Sequence, residues 1–223
     1  MLLSIRNLTF GWNKTILFEN VTCDLHDGEI SQLKGENGTG KSTLLQLIAG
    51  MFPHFSRGEI LQGDILIDEK SIFQEPPKKF FPFIAIIPGT YLDFFLFTET
   101  LAQEIIITSA IAKLPAKATG QRIEEFAAFF PIIKDLHDVP FNIMNFDQKA
   151  LALTLIFYLQ KPRIFLFDEI INPSSAHSIQ QWMSFFSHLG SQQCAVIFVN
   201  HQHPNPIQNY PIWILKNKTL IIT

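Results

Sequence analysis

Residues 2–10 and 16–25 mix apolar and polar positions and read as two short strands, separated by the Gly/Asn turn GWNKT. GEISQLK (28–34) reads as a third strand. LLQLIAG (44–50) changes to helical spacing and stops at Gly50. EILQGDILID (59–68) returns to alternation, and FIAIIP (83–88) is a further strand. From Thr98 to about Gln160 the pattern is mostly helical, divided at Pro131 and Pro140. RIFLFDE (163–169) and CAVIFVNH (194–201) are strands, each with a continuous apolar run suited to burial on both faces. A helix lies between them near 175–189, and PIWILKNKTLIIT closes the chain as a hairpin. Strands alternating with helices predict an α/β fold with a mostly parallel sheet, and the helical stretch between about 90 and 160 reads as an insertion into it.

Composition narrows the function classes. Hydrophobic residues make up 47% of the 223 positions and charged residues only 17%. Mean hydropathy is +0.19, with 22 Phe contributing much of it. Those rings imply either a Phe-rich core or an apolar surface kept for partners. The net charge of −3 and the lack of a basic tract beyond Lys78-Lys79 argue against nucleic acid. Cys23 and Cys194 have no metal-ligand spacing, so reduced thiols and a cytosolic setting are expected. MLLSIRNLTF lacks the pattern of a signal peptide, and LALTLIFYL (151–159) is too short to cross a bilayer. Any membrane role is therefore expected to be peripheral.

GENGTGKS (35–42) fits G-x-x-x-x-G-K-S/T without a mismatch, after a strand and before a helix. Gly35, Gly38 and Gly40 would let the backbone wrap a phosphate, and the helix N-terminus adds partial positive charge. Lys41 would reach the β- and γ-phosphates and Ser42 would offer a hydroxyl to Mg²⁺; Asn37, Thr39 and Thr43 complete the nucleotide set. Asp168, ending RIFLFDE, would hold the Mg²⁺ shell, and Glu169 would deprotonate the attacking water. His201 ends a strand on the ligand side of the sheet and would reach the γ-phosphate or the water, with His203 a bystander.

This order of phosphate loop, Asp-Glu strand and His strand resembles the ATPase subunits of ABC transporters over nearly the whole chain. The resemblance implies a P-loop NTPase of ABC type. Its nucleotide-binding core would be 1–89 and 161–223 with an N-terminal antiparallel β subdomain, and its helical signature subdomain 90–160. It implies MgATP as ligand, a second ATPase subunit and a transmembrane subunit as partners, and a peripheral place on the cytoplasmic face of the inner membrane. In that family an aromatic in the N-terminal turn stacks on adenine. Trp12 fits this, with Phe10 second; Trp12 could equally just cover the small sheet. The stretch 50–72 is loosely similar to ATPases of energy-coupling-factor importers, which favours import.

Three positions depart from the family. Its glutamine before the helical insertion should fall near Gly89-Thr90, and no Gln is there. The Asp of the loop after Glu169 is replaced by Ser175 in IINPSS. Leu-Ser-Gly-Gly-Gln, which clamps the partner's γ-phosphate, becomes Met144, Asn145, Phe146, Asp147, Gln148. Phe146 adds bulk, and Asp147 adds a charge that repels a phosphate charge ~5 Å away by ~3 kcal/mol at an effective dielectric of ~20. Asp147 could instead simply cap its helix. Either way the clamp is expected to be weak. The chain then reads as a transporter ATPase whose own half-site is intact and which works with a different subunit; the alternative is a non-hydrolysing regulatory or assembly protein. YLDFFLF (91–97) is expected to contribute to the membrane-partner contact or to ordinary core packing.

Overall fold

A computed structural model describes residues 1–12, 15–52, 54, 58–90, 92, 96–171, 176–200 and 210–223. β1 (Leu3–Trp12) and β2 (Thr15–Leu25) pair antiparallel. Pairing continues until Trp12 faces Thr15, so Gly11, Trp12 and Thr15 of the GWNKT stretch are strand, and its Asn13 and Lys14 lie outside the described residues. β4 (Glu59–Ile67) and the short β5 (Lys70–Ser71) complete a sheet of order β2-β1-β4-β5, antiparallel throughout.

The second sheet has the order β10-β9-β3-β8-β7-β6. Its strands are β3 (Ile30–Lys34), β6 (Ile84–Ile87), β7 (Ile164–Asp168), β8 (Ala195–Val199), β9 (Ile212–Lys216) and β10 (Thr219–Ile222). Every neighbouring pair is parallel except β9 and β10, which form the expected hairpin. Asn217 and Lys218 turn it with φ of 50° and 66°, the left-handed pair that matches strand twist in a two-residue hairpin.

Side chains of β7 alternate between two cores. Phe165 and Phe167 pack with Trp182, Phe185 and Phe186 of α5 (Ala176–Ser191) and with α4 (Phe146–Gln160). Ile164 and Leu166 pack with Leu44, Leu45 and Ile48 of α1 (Lys41–Ile48) and with the antiparallel sheet. A strand buried on both faces has no polar position to spare, which explains the continuous apolar run. Each buried ring contributes ~1.5–3 kcal/mol, and close pairs such as Phe167–Phe186 at 4.7 Å add to that. The Phe-rich composition is thus mainly core. Phe83, Phe97 and Phe146 are the described exceptions, exposed to solvent.

Between β6 and β7 the chain forms α2 (Leu101–Ile111), α3 (Ala116–Phe129) and α4. The 3-10 turns Pro131–Lys134 and Phe141–Ile143 follow the two expected proline breaks. A further break at 112–115 was not expected. Lys113 adopts φ 53° and Pro115 is extended, so α2 stops and α3 restarts in a new direction. Among the described residues no helix is long and apolar enough to cross a membrane. Arg163, just before β7, bridges Asp27 at 2.9 Å and Asp68 at 2.5 Å, tying the start of the parallel sheet to the turns of the β subdomain.

Candidate functional site

The loop 35–40 leaves β3 and enters α1. Gly40 is the N-cap of α1 with φ 99°, a backbone that side chains with a Cβ strain to adopt. α1 has no side-chain cap and no acidic residue in its first turn, so its opening N–H groups stay oriented for an anion. A Cβ at Gly35 would sit 2.6 Å from the Leu215 carbonyl and 2.8 Å from Thr39 Oγ1, so only glycine lets the loop lie this close to β9. Thr39 Oγ1 donates to the Glu36 carbonyl at 2.8 Å and closes the loop's own turn. Asn37 and Gly38 are exposed, while Ser42 and Thr43 are half-buried on the first turn of α1.

Lys41 is only 5% exposed. Its Nζ donates to the carbonyls of Gly35 and Glu36, both at 3.0 Å, which holds the loop in a cradle around the ammonium. Burial pulls its pKa below the ordinary lysine value, while Glu169 and then Asp168 favour its charge. Asp168 and Glu169 are thus near enough to the loop for their charges to act on Lys41. Topology explains the proximity. Asp168 lies opposite Val199, and Val199 opposite Leu33, so the ends of β7, β8 and β3 stand side by side. At strand spacing, Asp168 is ~10 Å from the start of the loop.

Asp168 is 8% exposed, and Glu169 follows it at φ 55°. A left-handed non-glycine residue at the end of a buried strand is strain of ~1–3 kcal/mol held by its surroundings, a feature that clusters at functional sites. The cradle at 35–42 fits phosphate on geometric grounds. Among the described residues no three acidic, His or Cys side chains gather to hold a metal by themselves. A Mg²⁺ ion would use Ser42 and Asp168 together with phosphate oxygens and water, which is how Mg²⁺ is usually held.

Of the remaining expected residues, Trp12 is half-buried, edge-on to Phe10 at 5.0 Å and 6.0 Å from Phe52. Phe10 is fully buried, so Trp12 alone of the two presents a partly open ring. His201, His203 and Ser175 lie outside the described residues, as do Tyr91 and residues 93–95 of the YLDFFLF stretch.

The helix that opens at MNFDQ is capped, but not by Asp147. Asn145 is the N-cap: its side chain accepts from Gln148 N at 2.9 Å, and the Gln148 side chain accepts from Asn145 N at 3.0 Å. This capping box is worth ~1 kcal/mol and takes one of the N–H groups that a phosphate would use. Asp147 sits in the first turn, where its charge suits the helix dipole. Ile143 (70% exposed) and Phe146 (40%) give this end an apolar surface.

A second concavity, of ~690 Å³, opens at the other end of α1. Met51, Phe81, Ile84 and Ile86 line it from the core side, Ile111 and Phe157 from α2 and α4, and Phe97 from the loop before α2. Its lip is fixed by a residue that sequence reasoning missed. Glu104 is 2% exposed, and its carboxylate accepts from Thr98 Oγ1 at 2.6 Å, Thr98 N at 3.0 Å and Phe97 N at 3.3 Å. A Glu in a helix ordinarily faces solvent; only the returning loop turns this one into an anchor. Phe97, held by it, is 81% exposed.

Comparison with known proteins agrees with this geometry. The family described as ABC transporter matches residues 18–172. The chain is 26% identical over 206 residues to the spermidine/putrescine import ATP-binding protein PotA of Thermotoga maritima, covering 92% of this chain and 53% of that protein. It is 25% identical over 205 residues to the cytochrome c biogenesis ATP-binding export protein CcmA of Vibrio cholerae, covering 90% of this chain and 91% of that one. The chain spans about half the length, or less, of the first curated relatives it matches. Its fold superposes on CbiO1 of Clostridium perfringens, part of the ABC transporter complex cbiONQ. The TM-score is 0.80 at 21% identity, covering 99% of this chain and 86% of that one. The match runs through the phosphate loop, the helix capped by Asn145 and the carboxylates that end β7, and the chain therefore belongs to the ABC transporter family, of which it carries the ATP-binding domain.

Proposed function

We propose that this chain binds and hydrolyses MgATP as the peripheral ATPase subunit of a membrane importer. The observation that carries the reading is the buried Lys41, cradled by its loop on the side of the sheet where β7 ends in Asp168. In this reading Lys41 and the opening N–H groups of α1 hold the phosphates. Ser42 and Asp168 hold Mg²⁺, which would neutralise charge on the β- and γ-phosphates. Glu169 takes the proton of the attacking water, and His201 supports the γ-phosphate. Trp12 contacts the adenine. The core is taken as 1–89 with 161–223, and the helical subdomain as 90–160. Import is favoured by the likeness of 50–72 to energy-coupling-factor ATPases and by import-named relatives such as PotA; CcmA, named for export, is the counterweight.

The apolar groove with its Phe97 lip supports a place for the transmembrane partner. Phe97→Asp is expected to release the chain from partner-containing membranes in a sedimentation assay while ATP binding stays unchanged. Retention on those membranes would remove Phe97 from the contact.

The helix end capped by Asn145 favours unequal sites. A second ATPase subunit with an intact clamp would close this chain's own site, and MNFDQ would close the partner's site poorly. The paired substitution Phe146→Gly with Asp147→Gly is expected to raise ATP turnover of the purified chain alone by at least tenfold. Turnover that is already fast without it would make a working homodimer the better reading. Tight ATP binding with no turnover under either condition, or with any partner, would favour the non-hydrolysing regulator.

A further inference from the structure

Near where the family is expected to carry its glutamine, Gly89 is pressed against the backbone that ends β7. β6 and β7 are parallel with Ile87 opposite Phe167, so residues 88–89 run beside 168–169. A Cβ on Gly89 would lie 2.6 Å from the Asp168 carbonyl oxygen and 3.5 Å from Glu169 Cβ. The first distance is well inside van der Waals contact, and the atom it meets is backbone in a buried strand, which cannot rotate away. Gly89 does not owe its identity to φ, because its backbone lies outside the left-handed region. Close approach alone demands it. The residue it touches leads directly into Glu169, the strained position at φ 55°.

We propose that Gly89 is a positioning residue: its bare Cα lets the loop after β6 seat directly against Asp168 and so sets the carboxylate end of β7. The inference rests on the reading of Asp168 and Glu169 as the Mg²⁺ and water residues. It also reverses the simple view of this position as a lost glutamine. A glutamine here would not repair the site, because its Cβ must first displace the Asp168 carbonyl or the loop. Misplacement of a catalytic group by about 1 Å can cost ~10²-fold.

The test is ATP affinity by titration calorimetry, with Mg²⁺ and with EDTA. The chains compared are the parent, Gly89→Ala, Gly89→Gln and, as a neighbouring control, Thr90→Gln at an exposed position. The parent is expected to bind ATP more tightly with Mg²⁺. Both Gly89 variants are expected to lose at least tenfold of that Mg²⁺-dependent gain, while their affinity in EDTA stays within about twofold of the parent, and Thr90→Gln is expected to behave as the parent. A Gly89→Ala chain that keeps the full gain overturns the inference. So does one that loses EDTA affinity in the same proportion, since that marks general damage. A Gly89→Gln chain that gains affinity restores the lost-glutamine view. A parent that binds ATP indifferently to Mg²⁺ overturns the inference and leaves the nucleotide site standing, whereas a parent that binds no ATP overturns both.

Discussion

Replacing Glu169 by Gln is expected to lower ATP turnover by ~10²–10⁴-fold, the usual contribution of a positioned general base. The substitution keeps the size of the side chain and removes its basicity. Glu169 directly follows the buried Asp168 that ends β7, and its charge acts on Lys41. ATP affinity should stay near the parent value, because the groups assigned to the phosphates are on the loop and α1. The measurement is steady-state phosphate release in an assembly that turns over, either with a partner ATPase or with the Phe146→Gly and Asp147→Gly clamp, alongside equilibrium ATP binding. Turnover within about threefold of the parent would take the base role from Glu169.

Lys41→Ala is expected to weaken ATP binding by ~2–5 kcal/mol, roughly 30- to several-thousand-fold, the range for truncating one partner of a buried charged pair. Lys41 is 5% exposed, so water does little to replace it. Its loss also removes the two 3.0 Å hydrogen bonds that shape the loop around the site. Lys41→Arg should recover little of the affinity, because a planar fork does not fit a cradle built for a compact ammonium. Calorimetric titration with ATP checks both variants. Parent-like affinity in Lys41→Ala would show that the loop does not hold the phosphates.

Much of this protein is legible in its sequence. The phosphate loop is legible because its chemistry is local: glycines, a lysine and a hydroxyl must follow one another where a strand meets a helix. The strands β7 and β8 are legible because burial on both faces leaves an unbroken apolar run. The helix opening at Asn145 can be located by counting from Asp168, while Asp147 is open to two readings there, a charge against the clamp or a cap. Asn145 and Gln148 form the box instead, and the Asn-x-x-Gln spacing was a signal available in the sequence. The break before α3 was likewise open to a reading of Pro115.

Other features depend on contacts between segments far apart in the chain. Nothing near Glu104 shows that its carboxylate turns inward to anchor residues 97 and 98; the loop returning to the helix decides that. Nothing near Gly89 shows that it faces the Asp168 carbonyl, since the pairing of β6 with β7 spans the whole helical stretch. The 22 Phe could have been surface or core until the sheet divided β7 between two cores. The sequence by itself determined the alternation of strands and helices, the phosphate-loop motif and the resemblance, because each is carried by neighbouring residues. The tertiary structure alone decided how Lys41, Asp168 and Glu169 are held and what Gly89 does there, because those depend on strand order and close packing between distant segments.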